Sequence, residues 1–282
     1  MRFDKRFMVK TDHITILNLN LTYAANILFE LGFVRGGGRT TLDKKVMEST
    51  APTVRYVFDN AYIECVQFPP EISEFYNYLN TPCGIHIMAL LTPDAERFRQ
   101  KLCDRGLIVE ELERIVRKDV DYGTKEGAVV LDLVPLPEEI IPRTHIAFLE
   151  HLTPELMYQP TRCGHLNGVT RMEEAIICCP DEETANRIER ELTELAALAD
   201  NAACLGGMES LRLVDKDTLW EEFGVRPVEE GSLFTALRFG TPRLEETKRT
   251  LRNTGYRTEE TDHSIRVWLP KALGLVFDFV EI

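Results

Sequence analysis

The chain has no apolar run approaching the roughly 20 residues that a bilayer-spanning helix needs, so no membrane segment is expected. The N-terminus, MRFDKRFMVKTDH, carries charge with no apolar stretch behind it and does not read as a secretory signal. No Cys-x-x-Cys pair occurs, and the seven cysteines are odd in number and scattered, which excludes a disulfide framework. Cys178 and Cys179 lie in an apolar, strand-like run where buried thiols are common. The expectation is a reducing, cytoplasmic setting. Positive charge is also short: 33 Lys and Arg face 46 Asp and Glu, for a net charge of -13. The nearest approach to a basic cluster, Arg114–Lys118, is broken by apolar residues. Nucleic acid and anionic membrane surfaces are therefore set aside as partners.

Organised repetition is present instead. In 282 residues a β-like run followed by a helix start, an amphipathic helix, a glycine and further strands recurs four times. The opening runs are DHITILN (Asp12–Asn18), GIHIMALL (Gly84–Leu91), EAIICC (Glu174–Cys179) and LFTALRFG (Leu233–Gly240). Asn20 or Thr22, Thr92 with Pro93, Asp181, and Thr241 with Pro242 are the expected helix starts. Gly32, Gly106 and Gly255 are the expected stops. Alternating β-branched and aromatic runs follow, as in TVRYVFDN–AYIECVQF, AVVLDLV–THIAFLEHL and SIRVWLP–LGLVFDFVEI. In the third copy the later strands must fall within Met208–Gly224. The fold class read from this order is α+β: four βαβββ units paired into two modules with curved mixed β-sheets. The expected division is residues 1–152, a linker at 153–168 rich in Pro, Gly and polar residues, and 169–282.

Strand alternation then sorts the polar side chains. His13 opposes Ile14 and Ile16, which belong under a helix. His86 is read as opposing Ile85, Ile87, Ala89 and Leu91. Glu64 shares a face with Tyr62, Val66 and Phe68, and Glu150 with Ile146 and Phe148. A carboxylate among apolar neighbours on a half-buried strand requires a partner or a metal. Two imidazoles and two carboxylates suit a divalent transition metal with open or water-filled positions. His13, Glu64, His86 and Glu150 are the candidate ligands.

These segments resemble the vicinal oxygen chelate superfamily, specifically its glyoxalase-like two-module branch. DHITILNLN with the helix and LGF after it resembles the superfamily's first strand and helix. CGIHIMALLTPDAERFRQKLCDRGL resembles its second unit, and FLEHL with HLNGVTRMEEAIICCPD resembles the junction between modules. The likeness spans nearly the whole chain, strongest over 11–181 and weak over 200–230. It implies the glyoxalase/bleomycin resistance/dihydroxybiphenyl dioxygenase fold, with a metal ligand in the first and last strand of each of two units. By position these fall on His13, Glu64, His86 and Glu150. Extradiol dioxygenases of the superfamily would use His13, His86 and Glu150. The second half departs from this pattern: Glu174 and Glu281 occupy ligand-like positions in units three and four, with Thr235 or Ala236 where another is needed. No transition-metal site is expected there, and its role is structural, covering the first module or pairing two copies as a homodimer.

The resemblance implies Ni²⁺, Co²⁺, Zn²⁺, Mn²⁺ or Fe²⁺ polarising a small substrate through two oxygens, with Glu150 as first-choice base and Glu64 as second, in isomerase, lyase or epimerase chemistry. Two alternatives stand beside it. One is an Fe²⁺ extradiol-type dioxygenase, for which His145 and His151 lie on the wrong strand face to assist Glu150. The other is a non-catalytic small-molecule binding protein. Gly36, Gly37 and Gly38 lack the spacing of a phosphate loop and read as a flexible candidate lid. His165 and Asn167 read as turn or interdomain residues, Trp220 and Trp268 as core, and His263 as solvated.

Overall fold

In the computed structural model the described residues are 2–18, 20–36, 41–42, 53–67, 84–118, 127–137, 140–160, 163–226, 233–270 and 273–282. Gly37 and Gly38 of the candidate lid, and Phe68, lie outside them.

Unit one is β1 (Asp4–Asn18), α1 (Leu21–Glu30), β2 (Thr41–Leu42), β3 (Thr53–Val57) and β4 (Tyr62–Gln67). Unit two is β5 (Ile85–Leu91), α2 (Ala95–Asp104), β6 (Glu113–Lys118), β7 (Val129–Pro135) and β8 (His145–His151). A short helix, α3 (Pro154–Met157), leads to unit three: β9 (Arg171–Cys178), α4 (Glu182–Leu198), β10 (Met208–Val214) and α5 (Lys216–Phe223). Unit four is β11 (Phe234–Thr241), α6 (Leu244–Arg252), β12 (Arg257–Glu260), β13 (Ser264–Trp268) and β14 (Val276–Glu281). The expected α+β architecture of paired βαβββ units is present. In each unit the first strand runs parallel to the strand that closes it: β1 to β4, β5 to β8, β9 to β10 and β11 to β14. Units pair through their first strands, β1 antiparallel to β5 and β9 antiparallel to β11.

Unit three is the irregular one. One strand follows its helix, and the Met208–Gly224 stretch expected to hold several strands is β10 and then α5. Strand β1 supplies what unit three lacks. Its first half, Asp4–Met8, pairs antiparallel with β10, and its second half, from His13, pairs with β4 and β5. The described strands therefore form one continuous sheet, ordered β12-β13-β14-β11-β9-β10-β1-β5-β8-β7-β6-β2, with β4 on β1 and β3 on β4.

The helix ends follow local chemistry. Asn20, Asp94 and Asp181 each accept a backbone N–H at the start of α1, α2 and α4. For α2 this corrects the expectation of Thr92. For α6 the N-cap is Arg243, with Thr241 Oγ1 accepting from Arg243 N at 3.1 Å. Gly32, Gly106 and Gly255 follow α1, α2 and α6 at φ +84°, +82° and +78°, where a Cβ is strained. One apolar core runs through both halves, from Ile14, Ile63 and Phe148 to Leu211, Leu237 and Phe277. No helix among the described residues is long and apolar enough to cross a membrane.

Candidate functional site

Two strand faces decide where each candidate side chain lies. On β1, β4 and β8 the residues Ile14, Ile16, Ile63, Cys65, Ile146 and Phe148 enter the helix-side core. His13, Thr15, Tyr62 and Glu64 thus project from the opposite, concave face. Alternation in β8 puts Glu150 with Ile146 and Phe148 on the helix side. There its Oε2 accepts from Ala95 N, at the start of α2, at 2.9 Å. Glu150 is thus a cap for α2, in a place where the helix dipole favours an anion.

His86 is displaced by a bulge. Thr15 pairs with Ile87, but Ile16 pairs with Ile85, so His86 is the extra residue on β5. Met88 and Leu90 enter the helix-side core, while Ile87 packs with Leu17 and Val66, and Ala89 and Leu91 pack with Leu149. Alternation from Met88 back places fully buried His86 on the helix side, with Nδ1 2.8 Å from Gly84 O. Of the four expected ligands, His13 and Glu64 share the concave face, while His86 and Glu150 lie on the other side of the sheet. Among the described residues no group of three or more His, Cys, Asp or Glu side chains is placed to hold a metal. The four residues do not fit a common centre, and no chemistry is routed through one.

The repeat explains the misreading. His13, Ile87, Glu174 and Ala236 each stand eight residues ahead of their unit's first helical residue, Leu21, Ala95, Glu182 and Leu244. Two residues later, Thr15, Ala89, Ile176 and Arg238 pair with Glu64, Ala147, Arg212 and Asp278. The register counterparts of His13 and Glu64 in unit two are therefore Ile87 and Ala147.

What gathers on the concave face of the N-terminal half is a different set. A second bulge, between Thr11 and His13, makes Asp12 the extra residue of β1. The Asp12 carboxylate is fully buried and accepts from three sides: His13 Nδ1 at 2.8 Å, His151 Nε2 at 2.7 Å and the Tyr158 hydroxyl at 2.5 Å. Burial pushes Asp12 up, but His151 and the hydrogen bonds from both histidines outweigh it and hold the carboxyl well below the usual range. Burial and the facing carboxylate push the Tyr158 phenol far above its ordinary value. The His13 ring stacks on Tyr62 with centroids 4.3 Å apart and keeps 9% of its side chain exposed. Beside it, Glu64 is ion-paired with Arg55 at 2.5 Å and lies 3.5 Å from the Thr15 hydroxyl. With Nδ1 committed to Asp12, His13 is left with Nε2 as its basic nitrogen, the arrangement that orients catalytic imidazoles.

Asp12, His151 and Tyr158 carried no strong sequence signal. Asp12 is adjacent to His13 and would face away from it in a regular strand. His151 was discarded for opposing Glu150, and that same opposition puts it on the concave face. Tyr158 arrives with the segment read as linker: Leu156, Met157 and Tyr158 pack over Val57, Tyr62, Val129 and Leu131. Further along that segment, Asn167 Nδ2 donates to Leu31 O at 2.9 Å, and buried His165 Nδ1 accepts from Val34 N at 3.0 Å. Burial pushes His165 down to about 4.

The concave face of the C-terminal half is closed. Leu219 and Phe223 of α5 pack on Ile176, Cys178, Val214, Ala236 and Val276. Below them Arg238 lies among three carboxylates, Glu174 at 2.8 Å, Asp278 at 2.9 Å and Glu222 at 3.0 Å. Arg212 binds Asp4 and Glu222, each at 2.7 Å, and Arg6 binds Glu174 at 2.5 Å. Asp278, not exposed Glu281, holds the last-strand position of unit four. Trp268 is half-buried over Phe223 O, whereas Trp220 is 50% exposed beside Arg226, against the expectation that both are core. His263 is exposed, as expected.

No protein-family model and no curated protein sequence matches the chain. Solved structures do. A hypothetical protein from Staphylococcus aureus matches with a TM-score of 0.58 at 10% identity, over 97% of this chain and 100% of that one. 4-Hydroxymandelate synthase from Streptomyces coelicolor, as a triple mutant, gives 0.54 at 12%, over 97% and 92%. Homoprotocatechuate 2,3-dioxygenase from Arthrobacter globiformis gives 0.52 at 12%, over 98% and 80%. The arrangement of strands and these likenesses together show that the chain has the vicinal oxygen chelate fold.

Proposed function

We propose that the chain is a proton-transfer enzyme for a small carbonyl substrate, acting on the concave face of the N-terminal half, with His13 as the proton acceptor. The observation that carries this reading is the buried Asp12 carboxylate 2.8 Å from His13 Nδ1. An imidazole so held presents Nε2 in one orientation, and the carboxylate offsets the charge created when Nε2 takes a proton. Asp12 keeps its own place through His151 and Tyr158, so it does not have to reorganise during the reaction. Thr15 and the Arg55–Glu64 pair stand next to His13 as polar contacts for a substrate oxygen. The expected bases change accordingly: Glu150 is engaged by α2, and Glu64 is engaged by Arg55.

A metal-dependent reading, as glyoxalase-type isomerase or lyase or as a dioxygenase, is the second one. It is supported by structural neighbours named as a dioxygenase and a synthase, and by His13, whose carboxylate-bound Nδ1 is also the geometry of many metal-ligating histidines. The placement of His86 and Glu150 weighs against it.

The test is exchange of the α-carbon hydrogens of neutral α-hydroxyketones with D₂O, followed by NMR. The expected result is protein-dependent exchange that falls at least 100-fold in His13→Gln and about tenfold in Asp12→Asn. Exchange at the same rate in His13→Gln removes His13 from the reaction. Binding of these ketones with no exchange in the wild type assigns the face to a binding protein instead.

A further inference from the structure

The two walls of the N-terminal concave face differ in kind. Unit one contributes His13, Thr15, Glu64 and Arg55. At the matching register unit two contributes Ile87, Ala89, Ala147 and Leu149, with His145 and His151 only at the ends of β8. His151 is turned to Asp12, and burial lowers His145 from its ordinary value. We propose that this site is built to work without a resident metal and takes an amphipathic ligand. Its oxygens meet the unit-one wall, and an alkyl or aryl body lies along Ile87, Ala89 and Ala147. This rests on the reading of the N-terminal concave face as the site, and it names the substrate class.

The physical reasons are separate. Two ligand positions, His13 and Glu64, hold a divalent ion weakly, and Glu64 already has the Arg55 cation at 2.5 Å. With that pair neutral as a unit and Asp12 satisfied by three donors, the face has no unbalanced charge asking for an ionic substrate. Apolar residues at Ile87 and Ala147 offer nothing to oxygen ligands but remove methylenes from water.

Two measurements on the full chain test this. Metal content is determined after loading with Ni²⁺, Co²⁺, Zn²⁺, Mn²⁺ or Fe²⁺ and desalting. Wild type is expected to retain under 0.1 equivalent of each, and Ile87→His, alone or with Ala147→Glu, to retain about one equivalent of Ni²⁺ by completing a set with His13 and Glu64. Near one equivalent in the wild type overturns the proposal. So does a folded Ile87→His protein that gains none, because the register equivalence then fails. Calorimetry compares 1-hydroxy-2-octanone with hydroxyacetone. The longer ketone is expected to bind at least tenfold tighter, with the advantage lost in Ile87→Asn. Equal affinities overturn the ligand class while leaving His13-dependent exchange, and so the proposed reaction, standing.

Discussion

Asp12 is the residue on which the described site turns. A buried carboxylate is costly unless its oxygens are filled, and here three donors fill them. Asp12→Asn leaves an amide facing those donors and is expected to lower stability by about 2 kcal/mol at neutral pH in urea unfolding. The pH dependence follows from the depressed carboxyl. The unfolded chain binds the proton first, so the contribution of Asp12 is complete above the ordinary carboxylate value of 3.8 and is lost as pH falls below it. Asp12→Asn therefore flattens the acid limb of the stability profile. His165 works in a higher window. Its folded value of about 4 lies below the ordinary 6.5, so stability is expected to fall as pH drops from 6.5 towards 4 and to level off below that. His165→Gln removes this slope, which spans roughly 3 kcal/mol at 1.36 kcal/mol per unit. A profile unchanged by His165→Gln contradicts the assignment.

At the scale of elements, the period-two reading of β1, β4 and β8 was right about which residues share a face. It had no means of saying which face looked toward the helices in β8. The apolar pair Ile146 and Phe148 answers that only once Phe98 of α2 is seen packed on Phe148 at 4.4 Å. The two β-bulges defeated the reading outright, because one inserted residue reverses every side chain beyond it. One bulge carried His86 out of the concave face, and the other brought Asp12 into the network. The repeat itself, the glycine stops and the pairing of first strands were legible, because periodicity and turn chemistry are local. Glu150→Ala tests the element-scale assignment. Losing the α2 cap is expected to cost about 1 kcal/mol and to leave His13-dependent exchange unchanged. Loss of exchange in a folded Glu150→Ala protein returns Glu150 to the chemistry. In the C-terminal half, Arg238→Ala strands three carboxylates and is expected to cost about 3 kcal/mol or more by the same urea measurement.

For the whole molecule the consequential element is β1. Its first half completes the strand set of unit three and its second half carries His13, so one strand ties the C-terminal sheet to the site. Sequence patterning places a module edge at 152 but cannot see that residues 4–8 pair across it, since the pairing is to β10, some 200 residues on. With one sheet and one core running through both halves, thermal unfolding is expected as a single transition. Tryptophan fluorescence, from Trp220 and Trp268 in the C-terminal half, and tyrosine absorbance should give coincident midpoints. Resolved midpoints contradict the shared-sheet account. The central claim, that Asp12 fixes His13 with its basic nitrogen toward the concave face, is tested most directly by two-bond ¹H–¹⁵N correlation NMR of the ¹⁵N-histidine-labelled protein. The account predicts neutral His13 as the Nδ1–H tautomer and neutral His151 as the Nε2–H tautomer, with His13 reverting toward the Nε2–H form in Asp12→Asn. An Nε2–H tautomer at His13 in the wild type contradicts it.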